Sequence, residues 1–362
     1  MICKKRVRIL LLSMLLTACC SGCELSDTND SQKEEESVSQ TDTTQKTLPN
    51  FEWLTLSAEN HPELDFTLST DGQSSIRDFC FTQDGTILLL ADSIFEYDFS
   101  GNLVGTYDLQ LDEHGYQAFH ITAGSDGSIY LADEANHKVI KATREGISHV
   151  CSIASSDTAQ WNTIVCTDTD QLTVSYFDKD GDNTWRTVIL DVSGDTSVEI
   201  TSWNGKIFGE NLSYLPVFVS DDERTSISNR IDVQIYLDGK LDNILSIRSA
   251  LAEDSSIYGL EFYGKIGGSY FGRIYEFVPN ENQISGVDSM ISFIRINPFS
   301  CLAQVGNTTL DGDEVIHFYN NGTYFMEITE KGLTITSLEE ACNNWRAADQ
   351  YQIERAPAPS EK

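Results

Sequence analysis

Basic side chains are scarce in this sequence: 24 Lys and Arg stand against 56 Asp and Glu in 362 residues, a formal charge of −32. A field of that sign repels phosphate backbones and anionic headgroups, so nucleic acid is excluded as a partner, and an anionic lipid surface is excluded for the body of the chain. The acidic surplus is read as solubility rather than as cation binding. Catalytic motifs are missing as well. The histidines (His61, His114, His120, His137, His149 and His317) are scattered, and there is no HExxH, no GxSxG and no glycine-rich loop opening a helix to cradle phosphate. Gly267-Gly268-Ser269 lies in a β-hairpin context and reads as a turn. So many acids could supply a carboxylate pair for glycoside cleavage, but no spacing selects one. Beyond residue 23 cysteine is sparse too. Cys80, Cys151, Cys166, Cys301 and Cys342 have no metal-ligand spacing, and Cys80, Cys166 and Cys301 sit in apolar strand contexts where cysteine serves as a small core residue. An odd count of five argues against a full disulfide framework and leaves open one pair such as Cys151 with Cys166.

What is present begins at the N-terminus. Lys4, Lys5, Arg6 and Arg8 precede the run Ile9 to Leu16, the charged-then-apolar order of a secretory signal. The run is too short to span a bilayer, which takes roughly 20 apolar residues. Leu16-Thr17-Ala18-Cys19 follows and resembles the lipobox of bacterial lipoproteins: a branched residue, two small ones, then a cysteine whose thiol accepts lipid. The resemblance implies cleavage before Cys19 and a membrane anchor on the extracytoplasmic side. Cys23 is the alternative acceptor, with Cys20 a poor substitute for the branched residue. Removing residues 1–18 takes away four basic side chains, leaving 20 against 56 acidic ones and a formal charge of about −36. Glu24 to Asn50 holds no aromatic residue and is mostly Ser, Thr, Asp, Glu, Gln and Lys, so it buries too little to offset ordering entropy and is expected to be a flexible tether. As a coil it would span roughly 30 Å. The Cys20/Cys23 spacing is not read as a redox motif, because no strand precedes it and no helix follows.

From Phe51 the texture changes to short β-rich segments punctuated by Gly, Asp and Asn, the signature of an all-β domain. Two units align. One runs Ile76 to Phe81, turn Gln83-Asp84-Gly85, Ile87 to Ala91, Ser93 to Asp98, turn Ser100-Gly101-Asn102, Leu103 to Tyr107. The other runs Ala118 to Ala123, turn Ser125-Asp126-Gly127, Ile129 to Ala132, Asp133 to His137, Lys138 to Ala142, turn Arg144-Glu145-Gly146, Ile147 to Val150. Their first turns lie 42 residues apart and their second turns 45. Four strands joined by tight turns make one propeller blade, and blades must close into a ring to cover their faces.

Gly127 to Lys141, with Asp133, the pair Asn136-His137 and the apolar-basic strand after it, resembles an NHL repeat; Gly85 to Gly101 is similar but lacks the Asn-His pair. Asp178-Lys179-Asp180-Gly181-Asp182-Asn183-Thr184-Trp185 resembles the Asp-box turn of sialidase-like and sortilin-like propellers, departing from it with Asp178 where Ser is usual and Asp182 where Gly is usual. The resemblance covers Ile76 to Trp185. It implies a propeller and says little about activity.

Further inner strands are expected near Ser197 (turn Asn204-Gly205), Gly259 (turn Gly267-Gly268) and Leu302 (turn Asp311-Gly312), for six blades in all. The long stretch Ser197 to Ser249 leaves a seventh open. Leu64 to Leu68 is expected to complete the last blade. Ser337-Leu338-Glu339-Glu340 resembles a capping box and predicts a helix with Leu338, Ala341, Cys342, Trp345 and Ala348 on one face, followed by a frayed end from Ala356. The expected organisation is a signal segment 1–18, lipidated Cys19 with its tether 19–50, an all-β propeller 51–336, and a C-terminal helix and tail 337–362.

Strand alternation puts the Asp-Gly turns on one face of the disc. The opposite face is then expected to carry Asp92, Asp133, Asn136, His137, the region of Asp178 and the polar loop Ser220 to Arg230, where propellers take ligands. The competing role of each residue is to bond its own turn backbone. Asp178, Asp180, Asp182 and Asn183 have the alternating oxygens of a Ca²⁺ loop but lack a later bidentate Glu, since Val188-Ile189-Leu190 reads as a strand, so a structural turn is favoured and no cofactor is expected. Two functions follow. One is a non-enzymatic binding or scaffold module, monomeric, held to the membrane by its lipid and presented to a protein, peptide or glycan. The other is a hydrolase or lyase acting on sugars or lactones.

Overall fold

The structure is a computed structural model that describes residues 53–68, 74–153, 160–166, 171–178, 184–209, 211–218, 229–250, 255–279, 287–306, 315–318, 324–337 and 345–357. Cys19, Cys23, the signal segment and the tether lie outside these residues.

The described residues contain strands and no helix. Their strands form six antiparallel sheets. The first blade is β2 (Asp78–Phe81), β3 (Ile87–Leu90), β4 (Ile94–Tyr97) and β5 (Leu103–Tyr107). The second is β6 (Ala118–Ala123), β7 (Ile129–Asp133), β8 (Lys138–Thr143) and β9 (Gly146–Ser152). The third is β10 (Gln160–Cys166), β11 (Leu172–Asp178), β12 (Thr184–Asp191) and β13 (Val198–Asn204). The fourth is β14 (Lys206–Gly209), β15 (Leu212–Phe218), β16 (Arg230–Leu237) and β17 (Lys240–Ser249), with β26 (Tyr351–Pro357) added outside. The fifth is β18 (Ser256–Ile266), β19 (Ser269–Pro279), β20 (Val287–Asn297) and β21 (Leu302–Gly306), with β25 (Arg346–Ala347) outside. The sixth is β22 (Val315–Phe318), β23 (Tyr324–Thr329), β24 (Gly332–Ser337) and β1 (Trp53–Ser57).

This is a six-bladed β-propeller. Each chain segment meanders outward through its blade, and the first strands of neighbouring blades touch, β2 against β6, β6 against β10 and β14 against β18. Burial follows from that position. All four residues of β3 and all five of β7 are buried, because a second strand is covered by a blade on each side and so reads as a continuous apolar run rather than an alternating one. The outermost strand of the third blade has its first four residues exposed. The core lies between blades, as clusters joining the sixth, first and second, the second and third, and the fourth and fifth.

Closure differs from expectation. The N-terminal strand β1, not Leu64 to Leu68, completes the sixth blade, pairing Trp53 with Thr336 through Ser57 with Gly332. Leu54 and Leu56 point into the core while Thr55 is exposed, the period-2 pattern a half-covered outer strand needs. Gly332 permits the approach: at φ +145 its Cβ would stand 2.2 Å from the carbonyl oxygen of Leu56. Leu64 and Phe66 are buried without pairing, and Asp65 turns the chain by accepting the Thr67 N–H.

The frame of the later blades slips by one strand in two places. Val198 to Asn204 is the outer strand of the third blade, so Asn204-Gly205 joins blades instead of opening one, and Leu302 to Gly306 is the outer strand of the fifth. The Gly267-Gly268 turn joins β18 to β19 as expected; Asp311-Gly312 lies outside the described residues. The C-terminal segment also departs from expectation. Ser337 ends a strand, and residues 346–347 and 351–357 are strands on the outer edges of the fifth and fourth blades, so Trp345 and Ala348 share no helix and Ala356 is paired with Ile244. Two open sheet edges take up the described part of this segment, residues 345–357. Leu338, Ala341 and Cys342 lie outside the described residues. Cys151 and Cys166 form no disulfide, while Cys301 sits in the turn before β21 at φ +55 rather than in a strand.

Candidate binding rim of the first three blades

One face of the disc carries the hairpins between first and second strands. The other carries the connections between second and third strands and the links between blades, and Asp92, Asp133, Asn136 and His137 fall there.

The turn after β7 is built around Asp133. Its carboxylate is fully buried and accepts the backbone N–H of Asn136 at 3.1 Å and its Nδ2–H at 2.7 Å. Asn136 Nδ2 also donates to the carbonyl of Gly115 at 3.1 Å, fastening this turn to the link between the first two blades. His137 closes the turn at φ +51, accepts the Ile153 N–H on its carbonyl, and sets its ring 6.4 Å from Trp161. Asp133, Asn136 and His137 thus sit together, the first two hydrogen-bonding within the turn. Asp92 lies on the neighbouring blade with a carboxylate 77% exposed, 3.2 Å from Arg77. Asp178 ends β11 opposite Thr184. Asp180, Asp182 and Asn183, the Ca²⁺ candidates, lie outside the described residues, as do most of residues 220–230. Among the described residues, no three His, Cys, Asp or Glu side chains gather as metal ligands.

Sequence reading missed the residues beside them. A β-bulge between Ala118 and His120 ejects Phe119 from the inner strand β6, leaving it 44% exposed. The Arg77 guanidinium lies over that ring, 5.7 Å from its centroid, and donates to the carbonyl of Ala118 at 3.1 Å and to Asp92. Ala118 is the strand partner of Asp133, so Arg77 ties Asp92 to the Asp133 turn. Asp78 accepts the Phe79 N–H on Oδ1 at 2.9 Å and the Ile121 N–H on Oδ2 at 3.0 Å, and His120 Nδ1 stands 3.5 Å from that same Oδ2. Further along the rim Lys138 Nζ sits 5.1 Å over the ring of Tyr116, on which His114 stacks. Cations paired with aromatic faces therefore recur along this rim, an arrangement suited to amphipathic ligands. The alternation Phe79, Phe81, Ile121 gives no hint of Phe119, since a bulge leaves no mark in composition.

No helix among the described residues is long and apolar enough to cross a membrane. No family model matches the sequence, and no curated protein does. Among solved structures, the chain is similar to virginiamycin B lyase from Staphylococcus aureus, at 12% identity and a TM-score of 0.42, over 80% of this chain and 100% of that one. It is similar to a putative 6-phosphogluconolactonase from Bacteroides uniformis, at 11% identity and a TM-score of 0.41, over 80% and 90%. It is also similar to the WD40 domain of SCAP from fission yeast, at 8% identity and a TM-score of 0.33, over 73% and 95%.

Proposed function

We propose that this chain is an extracytoplasmic lipoprotein, held to the membrane through Cys19, whose propeller is a non-enzymatic binding or scaffold module for a protein, peptide or glycan. The observation that carries the binding role is Phe119: a large aromatic ring thrust 44% into solvent from an inner strand, under a guanidinium and beside an exposed carboxylate. Exposed aromatic and Arg side chains are the groups that contribute most to recognition surfaces. Asp92 is a direct contact in this reading; Asp133 and Asn136 position the rim, and His137 borders it.

The test pairs capture with location. Phe119→Ala and Arg77→Ala should abolish cross-linking to a partner in native membranes while shifting the melting temperature by only a few degrees; recovery of the same partners from wild type and variants ends the rim assignment. Cys19→Ser should release the protein from the membrane. Retention would move the lipid to Cys23 or end the lipoprotein reading. The hydrolase or lyase alternative draws on one feature, the His120–Asp78 pair at 3.5 Å, which has the composition of a general acid–base couple. Turnover of a sugar or lactone that His120→Ala removes would favour it.

A further inference from the structure

The fourth and fifth blades hold a second polar cluster, built around Glu261 on β18 and sharing no residue with the rim. Two β-bulges interrupt β18, at Ile257/Gly259 and at Phe262/Gly264. Glu261 pairs directly with Arg273, and its Oε2 accepts the hydroxyls of Tyr263 and Tyr275 at 2.7 Å each and an Arg273 N–H at 3.4 Å. Arg273 donates to the Tyr263 hydroxyl and lies 5.5, 5.4 and 6.0 Å from the ring centres of Tyr263, Tyr275 and Phe293. Glycine makes the crowding possible: a Cβ on Gly272 would stand 2.0 Å from the carbonyl oxygen of Glu261. Three donors therefore converge on Oε2.

The other oxygen is placed differently. Oε1 faces Lys206 Nζ, on the first strand of the fourth blade, at 3.8 Å, longer than a hydrogen bond. The Lys206 ammonium also lies 5.5 Å over the Trp185 ring of the third blade. The side chain of Glu261 is 36% exposed and that of Lys206 11%. Burial would raise the Glu261 carboxyl, but the Lys206 charge and the two tyrosine hydroxyls outweigh it and hold it below its ordinary value, so it is ionised at neutral pH. Burial pushes the Lys206 amine below the usual lysine range, with Glu261 opposing.

An ammonium and a carboxylate 3.8 Å apart are spaced to hold one oxygen atom at hydrogen-bond distance from both. That oxygen must accept from Nζ and donate to Oε1. A hydroxyl does both, an ionised carboxylate cannot donate, an ammonium cannot accept, and a phosphate group, though it can carry a proton, sets a second negative charge against Glu261. The geometry points to a subsite for one hydroxyl of a neutral sugar, clasped between Lys206 Nζ and Glu261 Oε1 beside the Trp185 ring. Water meets the same hydrogen-bonding requirement, so a sugar must displace it and gain from the ring.

Titrating D-glucose, N-acetylglucosamine and cellobiose into the purified full chain to about 50 mM, with acetate and phosphate as anionic controls, should quench tryptophan fluorescence saturably for at least one sugar and for neither anion. Lys206→Met and Glu261→Gln should each weaken that binding about tenfold or more, since each leaves a partner unpaired. Trp185→Phe should remove the signal, and Phe119→Ala should leave it unchanged, which separates this subsite from the rim. Tyr275→Phe keeps the ring and withdraws one donor from Glu261; a loss of about threefold is expected there, and it serves where Lys206→Met does not fold. The inference is overturned if no sugar saturates, if acetate or phosphate binds instead, if binding survives Glu261→Gln, or if Phe119→Ala abolishes it.

Discussion

The first two blades and the fourth and fifth solve the same packing problem in different ways. Strands of the first two blades are four to seven residues long and stop at four per sheet. Their turns are tied off locally, as where Asp98 accepts the N–H groups of Ser100 and Asn102 and the side chain of Asn102. In the fourth and fifth blades strands reach 10 and 11 residues, each sheet takes a fifth strand from the C-terminus, and charged groups enter the interior. Glu276 of the fifth blade is fully buried and accepts the Tyr351 hydroxyl of that C-terminal segment. Regular repeats are sufficient in themselves; degenerate ones depend on chain from elsewhere to cover an edge that would otherwise expose unpaired backbone groups.

The largest effect should come from breaking that dependence. Deleting residues 345–362 strips β25 and β26, removes the buried Ala348 and Tyr351, and should cost at least about 5 kcal/mol, a fall in melting temperature of 10 °C or more. If scanning calorimetry finds the melting temperature held, the fifth strands are decoration and the contrast fails. Phe79→Ala, in the self-sufficient first blade, should cost about 3–5 kcal/mol in urea unfolding, because Phe79 is 1% exposed within a shared core. Tyr351→Phe keeps the ring but takes the hydroxyl from Glu276, whose Oε1 already has no partner; about 2–3 kcal/mol should be lost by the same measurement. Across the first two blades, Arg144→Ala should cost only about 1 kcal/mol. The guanidinium is mostly solvated, and Glu96 keeps the hydroxyls of Thr86 and Tyr107.

Acid should separate the two regions most gently. Burial would raise Asp126, but the Ser128 N–H and Lys141 outweigh it, so its folded carboxyl lies below its ordinary value of 3.8. Glu261 likewise lies below 4.5. A carboxyl lowered on folding contributes stability that is whole above its unfolded value and lost as pH falls through the folded one. Melting curves between about pH 6 and 2 should therefore fall less steeply for Glu261→Gln than for wild type, with Asp126→Asn flattening them by only about a degree because its side chain is half exposed. Equal slopes for the two variants would mean that the buried network has no special weight.

Legibility followed the same divide. Asp84-Gly85 and Asp126-Gly127 announce the hairpins of the first two blades because only a residue free to take positive φ fits there, Gly85 at +82 and Gly127 at +78. The slips came where an outer strand imitates an inner one. Val198-Glu199-Ile200-Thr201 alternates as a half-buried strand should, yet all four residues are exposed. On the rim, Asp92, Asp133, Asn136 and His137 were legible from their turns, whereas Arg77, Phe119 and His120 were not, since they owe their positions to a bulge and to a neighbouring blade. The Glu261 cluster left no trace at all: Lys206, Glu261 and Arg273 are scattered over more than sixty residues with no motif spacing.

The sequence by itself determined the all-β class, the four-stranded repeat of the first two blades and the face on which their turn residues stand, because turn chemistry and strand periodicity are local properties of neighbouring residues. Which strand closes the ring, where the C-terminal chain goes, and which charges meet were decided only in the tertiary structure. Those outcomes depend on open sheet edges and on contacts between residues distant in the chain, and an edge can be satisfied by any strand that reaches it.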